Sequence, residues 1–426
     1  MNIHIIGGGL AGVEAAWQLA RAGLPCSLSE MKPMRFSPAH KNEDLAELVC
    51  SNSLKAKRIG SAAGLLKEEM RRLGSLCVEA AGRNRIPAGG ALAVDRDRFS
   101  REITRIIENE PLIELRREEI CEIPNEGIAI IAAGPLCSDA LAESIQNICG
   151  EGLHFHDAAA PIIIKESVDM NRAFAASRYN RGGADDYLNC PMNREEYEAF
   201  EAALISAERA HIHEFDVYEG CMPIEVLAAR GRDAIRYGPM KPVGLRDPAT
   251  DRRPWAVLQL RRENAEGNLL NLVGFQTNLK FKEQKRVFGM IPALREAEFV
   301  RYGVMHRNTF IDSPRLLGPD FRVKENPRLW FAGQITGVEG YMESAASGLL
   351  VGLNIARGMR GLAPLILPRT TMLGALSHYI SDASVKKFQP MGASFGLLPP
   401  LEERIRDKRE RYERLAERAL GALPLV

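Results

Sequence analysis

The chain has 426 residues, enough for two or three domains of ordinary size. With 46% apolar and 26% charged residues it reads as a globular protein and not as a disordered one. Its 56 Lys+Arg against 55 Asp+Glu leave a net charge of +1, which excludes a uniformly basic nucleic-acid coat but leaves room for a local basic patch.

Residues 2–6 (Asn-Ile-His-Ile-Ile) read as a short buried strand that starts at once, without the basic and then apolar leader of an exported protein. Gly7-Gly8-Gly9-Leu10-Ala11-Gly12 follows, and then an Ala-rich stretch of helical period from Val13 to Arg21. Strand, G-x-G-x-x-G and helix in that order are a dinucleotide fingerprint. Gly7 permits the tight turn, Gly9 lets the backbone approach a pyrophosphate, and Gly12 lets the helix pack closely on the strand. The helix N-terminus offers free N–H groups to the phosphates. A second strand, 25–29, ends in Glu30, 18 residues after Gly12, where a carboxylate meets a ribose hydroxyl. An acid there favours NAD or FAD over a 2′-phosphorylated cofactor at this site.

Gly127 to Pro135 is an apolar strand ending at glycine, suited to the same parallel sheet. Between about 160 and 310 strand-like runs (160–164, 256–260) mix with a helical run at 194–207, as in an inserted α+β domain. Within it, residues 278–286 carry Lys280, Lys282, Lys285 and Arg286 against Glu283, a local charge of 4 − 1 = +3, with Phe275, Phe281 and Phe288 interleaved. Such a segment could hold a phosphate backbone and stack bases, or it could be a solvated helix face over core phenylalanines. From Arg328 a further strand runs into a glycine-rich turn and a small-residue helix, with Gly333, Gly337, Gly340 and Ser344 as candidates for close approach to a flavin. A sheet completed so far along the chain is the organisation of FAD-binding proteins of the glutathione-reductase type. The expected fold is therefore α/β, a Rossmann-like FAD-binding domain from 1–160 and 310–426 with an α+β insertion at 161–309. Residues 401–418, with seven positive and six negative side chains, read as an exposed helix supported by i,i+4 pairs.

Eight cysteines (26, 50, 77, 121, 137, 149, 190, 221) are scattered without a CxxC pair, a reduced, cytoplasmic pattern. No metal site is expected, because His154/His156 and His211/His213 have no third ligand nearby in sequence. No apolar run reaches the ~18 residues of a membrane helix.

Several stretches outside the glycine loop are more specific: 31–40 (MKPMRFSPAH), 47–55 (ELVCSNSLK), 64–72, 91–96, 187–192, 219–225 (EGCMPIE), 236–244 (RYGPMKPVG), 388–391 and 395–400. Over essentially its whole length the chain resembles the TrmFO family, the folate- and FAD-dependent tRNA (uracil-5-)-methyltransferases. The resemblance implies methylenetetrahydrofolate as carbon donor, FAD reduced by NADPH or NADH, and C5 of the T-loop uridine of tRNA as acceptor. It implies that Cys221 is the nucleophile for the uracil and that Cys50 is the second functional cysteine, near the flavin. Tyr341 becomes a candidate for stacking on folate or flavin, with a core tyrosine as the other reading. The four cations of 278–286 become tRNA-contact candidates, for the T-arm and elbow. No obligate protein partner is implied. Open alternatives are an rRNA uridine as target, an NAD(P)H:flavin oxidoreductase on a small molecule, and an RNA-binding flavoprotein without catalysis. The related wobble-uridine modifier GidA is expected to be longer, with an extra helical C-terminal domain.

Overall fold

The isoleucine run near the N-terminus forms strand β1 (Ile3–Ile6), which lies in the middle of a six-stranded sheet. The computed structural model describes residues 2–37, 39–150, 153–158, 160–180, 183, 185–210, 222–303, 305–385 and 388–424. β1 pairs in parallel with β2 (Cys26–Glu30) on one side and with β3 (Ile128–Ile131) on the other, with Ile5 opposite both Leu28 and Ile130. Ile113–Arg117 extends the sheet beyond β2, and Asn326–Phe331 extends it beyond β3, both in parallel. Arg322–Val323 closes that edge antiparallel. Strands buried on both faces need apolar side chains at every position, and β3 is buried throughout.

Helix α1 (Leu10–Arg21) returns the chain from β1 to β2. The next strand to join β1, which is β3, takes its opposite side, so strand order reverses at β1. A crevice opens at the carboxyl ends of strands at such a point. Glu14 of α1 is fully buried and accepts hydrogen bonds from Ser75 Oγ (2.9 Å) and from the Leu76 and Cys77 N–H groups (3.1 and 3.0 Å). Helix α2 (Arg96–Glu108) starts at Asp95, whose carboxylate accepts from the Arg98 N–H and caps it.

The chain leaves this sheet through Leu153–Ala158 and returns through Met305–Phe310, two strands that pair antiparallel. Between them lies a second, antiparallel sheet in the order Phe174–Ala175, Tyr187–Met192, Ala256–Arg262, Leu269–Leu272, Ile162–Ile164, Phe299–Arg301. It has its own core of residues 163–297, including Tyr197, Phe200, Phe275 and Phe288, while the first core joins residues 3–145 to 310–419. Helix α3 (Phe281–Phe288) packs on this second core, and helix α4 (Tyr341–Met359) lies along α1 in the first. Among the described residues no helix is long and apolar enough to cross a membrane.

The C-terminal helix begins later than its charge pattern suggested. It spans Lys408–Ala422 because Asp407 is its cap, accepting from the Glu410 N–H at 2.7 Å. Glu402/Arg406 and Asp407/Arg411 are therefore not helical pairs. Arg409–Glu413 (3.0 Å) and Arg414–Glu417 (3.3 Å) pair instead.

Glu69, fully buried on helix Ala62–Arg72, caps the helix Met372–Ile380 through the Met372 and Leu373 N–H groups (2.7 and 2.8 Å). Burial outweighs these two bonds and pushes its carboxyl up to about 7. A raised folded-state value makes this carboxyl's contribution to stability complete below the unfolded-state value and lost as pH rises through about 7. Relative to the unsubstituted protein, Glu69→Gln should therefore gain about 3 kcal/mol of unfolding free energy between pH ~5 and pH ~8. Denaturant titrations of both proteins at the two pH values would check it.

Candidate active site

At the carboxyl ends of β1 and β3 a groove opens toward solvent. Gly7, Gly8, Gly9, Leu10, Ala11, Glu30, Gly333, Tyr341 and Ser344 line it together with residues 132–138 and Cys50. Gly12, Gly337 and Gly340 do not line it. Gly12 lies against the Gly7 carbonyl, 1.9 Å from where its Cβ would stand, so it serves the helix–strand packing. Gly337, at φ 85°, makes room for the Phe388 ring. Gly340 is the N-terminal cap residue of α4, beside Lys55 and Glu343.

The groove fits a dinucleotide. A Cβ on Gly9 would meet nothing within 4 Å, which is the space a pyrophosphate needs. No side chain caps α1 and no acid stands in its first turn, so its N-terminal N–H groups and dipole face the groove uncompensated. Glu30 ends β2 in the groove wall, accepting from the Gly8 N–H at 2.7 Å and the Lys32 N–H at 3.0 Å. On the far side Gly333 donates its N–H to Ser347 Oγ (2.7 Å), fixing the second glycine turn onto α4.

Cys50 lines this groove from a loop that the sequence did not show how to hold. One face of α2 holds it. Arg96 donates to the Leu48 carbonyl, Ser100 Oγ to the Ala46 carbonyl at 3.3 Å, and Thr104 Oγ1 accepts from the Leu45 N–H at 2.8 Å. Residues four apart on a helix share one face, so this i, i+4, i+8 series runs beside the loop like a rail. From the second sheet Arg301 donates to the Val49 carbonyl. Arg261 donates to Asn52 Oδ1 (2.8 Å) and Ser51 Oγ (3.1 Å). Arg96 is itself buried against Glu263, 2.6 Å away. The thiol's loop is thus clamped between both sheets by three arginines. The only sequence signal for this was the polar spacing of 96, 100 and 104.

Tyr341, the first residue of α4, accepts from the Cys50 N–H at 2.8 Å and the Ser51 N–H at 3.2 Å. Its hydroxyl oxygen is 3.0 Å from Cys50 Sγ. Two N–H donors fill the oxygen's two lone pairs, so the phenolic proton is left for the sulfur. Burial, with Cys50 nearby, raises this phenol well above its ordinary range and keeps the proton on it. Arg96 and Arg301 place positive charge within electrostatic reach of the same sulfur. A phenol donor and two guanidinium groups are the surroundings that favour a thiolate. Other cysteines have the opposite setting. Burial pushes Cys26 up to about 12, Cys137 and Cys149 up to about 11, and Cys77 and Cys190 upward as well.

Cys221 lies outside the described residues, as do His211 and His213. Just after it, Glu225 is fully buried and accepts from Thr277 Oγ1 (2.9 Å) and the Asn278 N–H (2.8 Å), which anchors the segment onto the start of the basic stretch. Of the four cations there, Lys280 pairs with Glu208 (3.0 Å) and Arg286 with Glu283 (2.6 Å). Lys282 and Lys285 are exposed. Phe275 and Phe288 are core residues, whereas Phe281 is on the surface.

Fold and groove together define a dinucleotide-binding α/β protein of the two-glycine-turn type. The sequence pattern of the family described as "Glucose inhibited division protein A" matches residues 2–363. The methylenetetrahydrofolate--tRNA-(uracil-5-)-methyltransferase TrmFO of Desulforamulus reducens is 59% identical over 99% of this chain and 96% of its own. That of Geobacter sulfurreducens is 58% identical over 99% and 98%. The fold is shared with Aquifex aeolicus GidA at a TM-score of 0.72 and 17% identity, over 99% of this chain and 73% of that one. The chain belongs to the GidA family and, at this identity over its full length, to its TrmFO members.

Proposed function

We propose that this protein forms 5-methyluridine in the T-loop of tRNA, with methylenetetrahydrofolate as carbon donor and NADPH or NADH as reductant, in the cytoplasm. Residues 1–160 and 310–426 would form the FAD-binding domain, and 161–309 an inserted domain that completes the cleft. The observation that carries the reading is Cys50 in the lining of the dinucleotide groove, with its sulfur 3.0 Å from the hydroxyl of Tyr341, at the start of α4. It sits in 47–55, one of the segments by which the sequence resembles the family.

The chemistry follows from the acceptor. Uracil C5 is a poor nucleophile until a thiolate adds to C6 and makes an enolate. Cys221 is assigned that addition. After C5 has taken the carbon, a base must remove its proton, and Cys50, favoured as thiolate by Tyr341, Arg96 and Arg301, is assigned to receive it. The glycine loop and α1 N-terminus would hold the FAD pyrophosphate, and Glu30 the adenosine ribose. When bound, FAD supplies the redox chemistry of the one-carbon transfer. The target uridine lies in a structured loop and must turn outward to reach the thiols.

The test is transfer of label from methylenetetrahydrofolate to an unmodified tRNA transcript in the presence of NADPH. Labelled 5-methyluridine at the T-loop position supports the reading. Label in rRNA fragments alone would move the target, and turnover without RNA or folate would reduce the protein to a small-molecule oxidoreductase. Lys282→Ala and Lys285→Ala should each lower the slope of log affinity for tRNA against log salt by about 1 if these side chains meet phosphates.

A further inference from the structure

We propose that Phe281, Tyr302 and Phe299 form a stacking platform for one unstacked base of the RNA substrate, a few nucleotides from the one presented to the thiols. This rests on the RNA reading above. The Phe281 ring stacks on Tyr302 with centroids 4.9 Å apart and planes at 17°, and Tyr302 stacks on Phe299 at 5.2 Å and 4°. Three parallel rings thus stand in a row, and the ring at the outer end, Phe281, is 54% exposed. The core does not require it there. Phe275 and Phe288 fill the second core edge to face at 5.4 Å, and neither is exposed. A large ring left on the surface at the end of a parallel stack offers one free π-face. A nucleobase, flat and aromatic on both sides, extends such a stack whatever its sequence.

The charges beside it suit a polynucleotide strand better than an apolar partner. Lys282 and Lys285 are exposed on the same helix and make no ion pair among the described residues. They can take the phosphates on either side of a stacked base. The platform is also tied to the thiol loop. Between the two lysines, Gln284 is buried and bonds both ways to Gly303, donating to its carbonyl at 2.7 Å and accepting from its N–H at 2.8 Å. Gly303 follows Tyr302 and Arg301, and Arg301 grips the carbonyl next to Cys50. The segment 299–303 therefore carries two of the three rings and a clamp of the reactive loop, and Gln284 ties the helix of the third ring to it, so an RNA strand held on the rings is held in register with the loop.

The experiment compares full-length, FAD-loaded protein with Phe281→Ala and Phe281→Trp, using unmodified tRNA transcript and a T-arm hairpin with 2-aminopurine at each loop position in turn. Phe281→Ala should weaken tRNA binding roughly tenfold, with the salt slope unchanged, since a stacked base releases no counterions. Phe281→Trp should restore the affinity. One 2-aminopurine position should be quenched by the unsubstituted protein and not by Phe281→Ala. Flavin content and melting temperature check that the variants are folded, and the quenching scan on the unsubstituted protein stands even if they are not. Equal tRNA affinity of Phe281→Ala, or the same quenching with it, would overturn the platform. So would a change confined to self-association, which would make the rings a protein contact. If the unsubstituted protein neither binds nor methylates tRNA, the RNA reading itself falls, a result distinct from a methylating enzyme indifferent to Phe281.

Discussion

Cys50→Ala is expected to abolish 5-methyluridine formation, with a loss of roughly 10²–10⁴-fold, the range of a missing acid–base group. The sulfur has a phenolic donor at 3.0 Å, two guanidinium groups within electrostatic reach, and a loop fixed on both sides. Alanine keeps the fold of that loop, because its anchors are the carbonyls of Ala46, Leu48 and Val49 and the side chains of Ser51 and Asn52. Flavin content should therefore stay the same. The exposed Cys121, changed to Ser, is the control and should leave activity as it is. If Cys50→Ala forms product at the rate of the unsubstituted protein, the proton-accepting role must pass to another group. The measurement is single-turnover methyl transfer with tRNA and folate saturating.

What could be read from the sequence here was chemistry with short spacing. Gly7 to Gly12, the 18-residue step to Glu30, and the turn from Gly333 to Ser344 are local patterns of the kind that binding a dinucleotide requires. The structure brings their groove-lining members together. Tertiary partners were not legible. Arg261 and Arg301 come from the second sheet, more than 200 residues from Cys50, and nothing in their neighbours marks them as clamps. The phenylalanines of 275–288 show the same boundary. Phe281 and Phe288 stand seven apart on one helix, so period alone would turn both toward the core, yet only Phe288 is buried; Phe281 stacks on Tyr302, which follows a strand that arrives separately. At the C-terminus, counting charges overran the helix start because a single capping carboxylate, Asp407, outweighs the i,i+4 pairs before it.

A second large effect is expected away from any reactive group. α1 and α4 pack almost backbone to backbone, through Ala11 and Ala15 on one side and Gly348 and Gly352 on the other. A Cβ on Gly348 would lie 2.0 Å from the Ala11 carbonyl oxygen, and one on Gly352 would lie 2.8 Å from that of Ala15. These obstacles are main chain, so no side chain can swing aside, and the helices must part. Ala11 is part of the glycine loop, and Ser347, next to Gly348, holds the Gly333 turn. Parting the helices therefore spreads the two turns that would grip the cofactor. Gly348→Ala should cost about 3 kcal/mol of stability and strip the flavin from the purified protein. Gly358→Ala supplies the opposite sign on the same helix. Nothing stands within 4 Å of its Cβ, so it should gain about 0.5–1 kcal/mol from helix propensity and keep its flavin. Denaturant midpoints and flavin per chain measure both. Full flavin and unchanged stability in Gly348→Ala would mean that the close helix contact is not what shapes the groove.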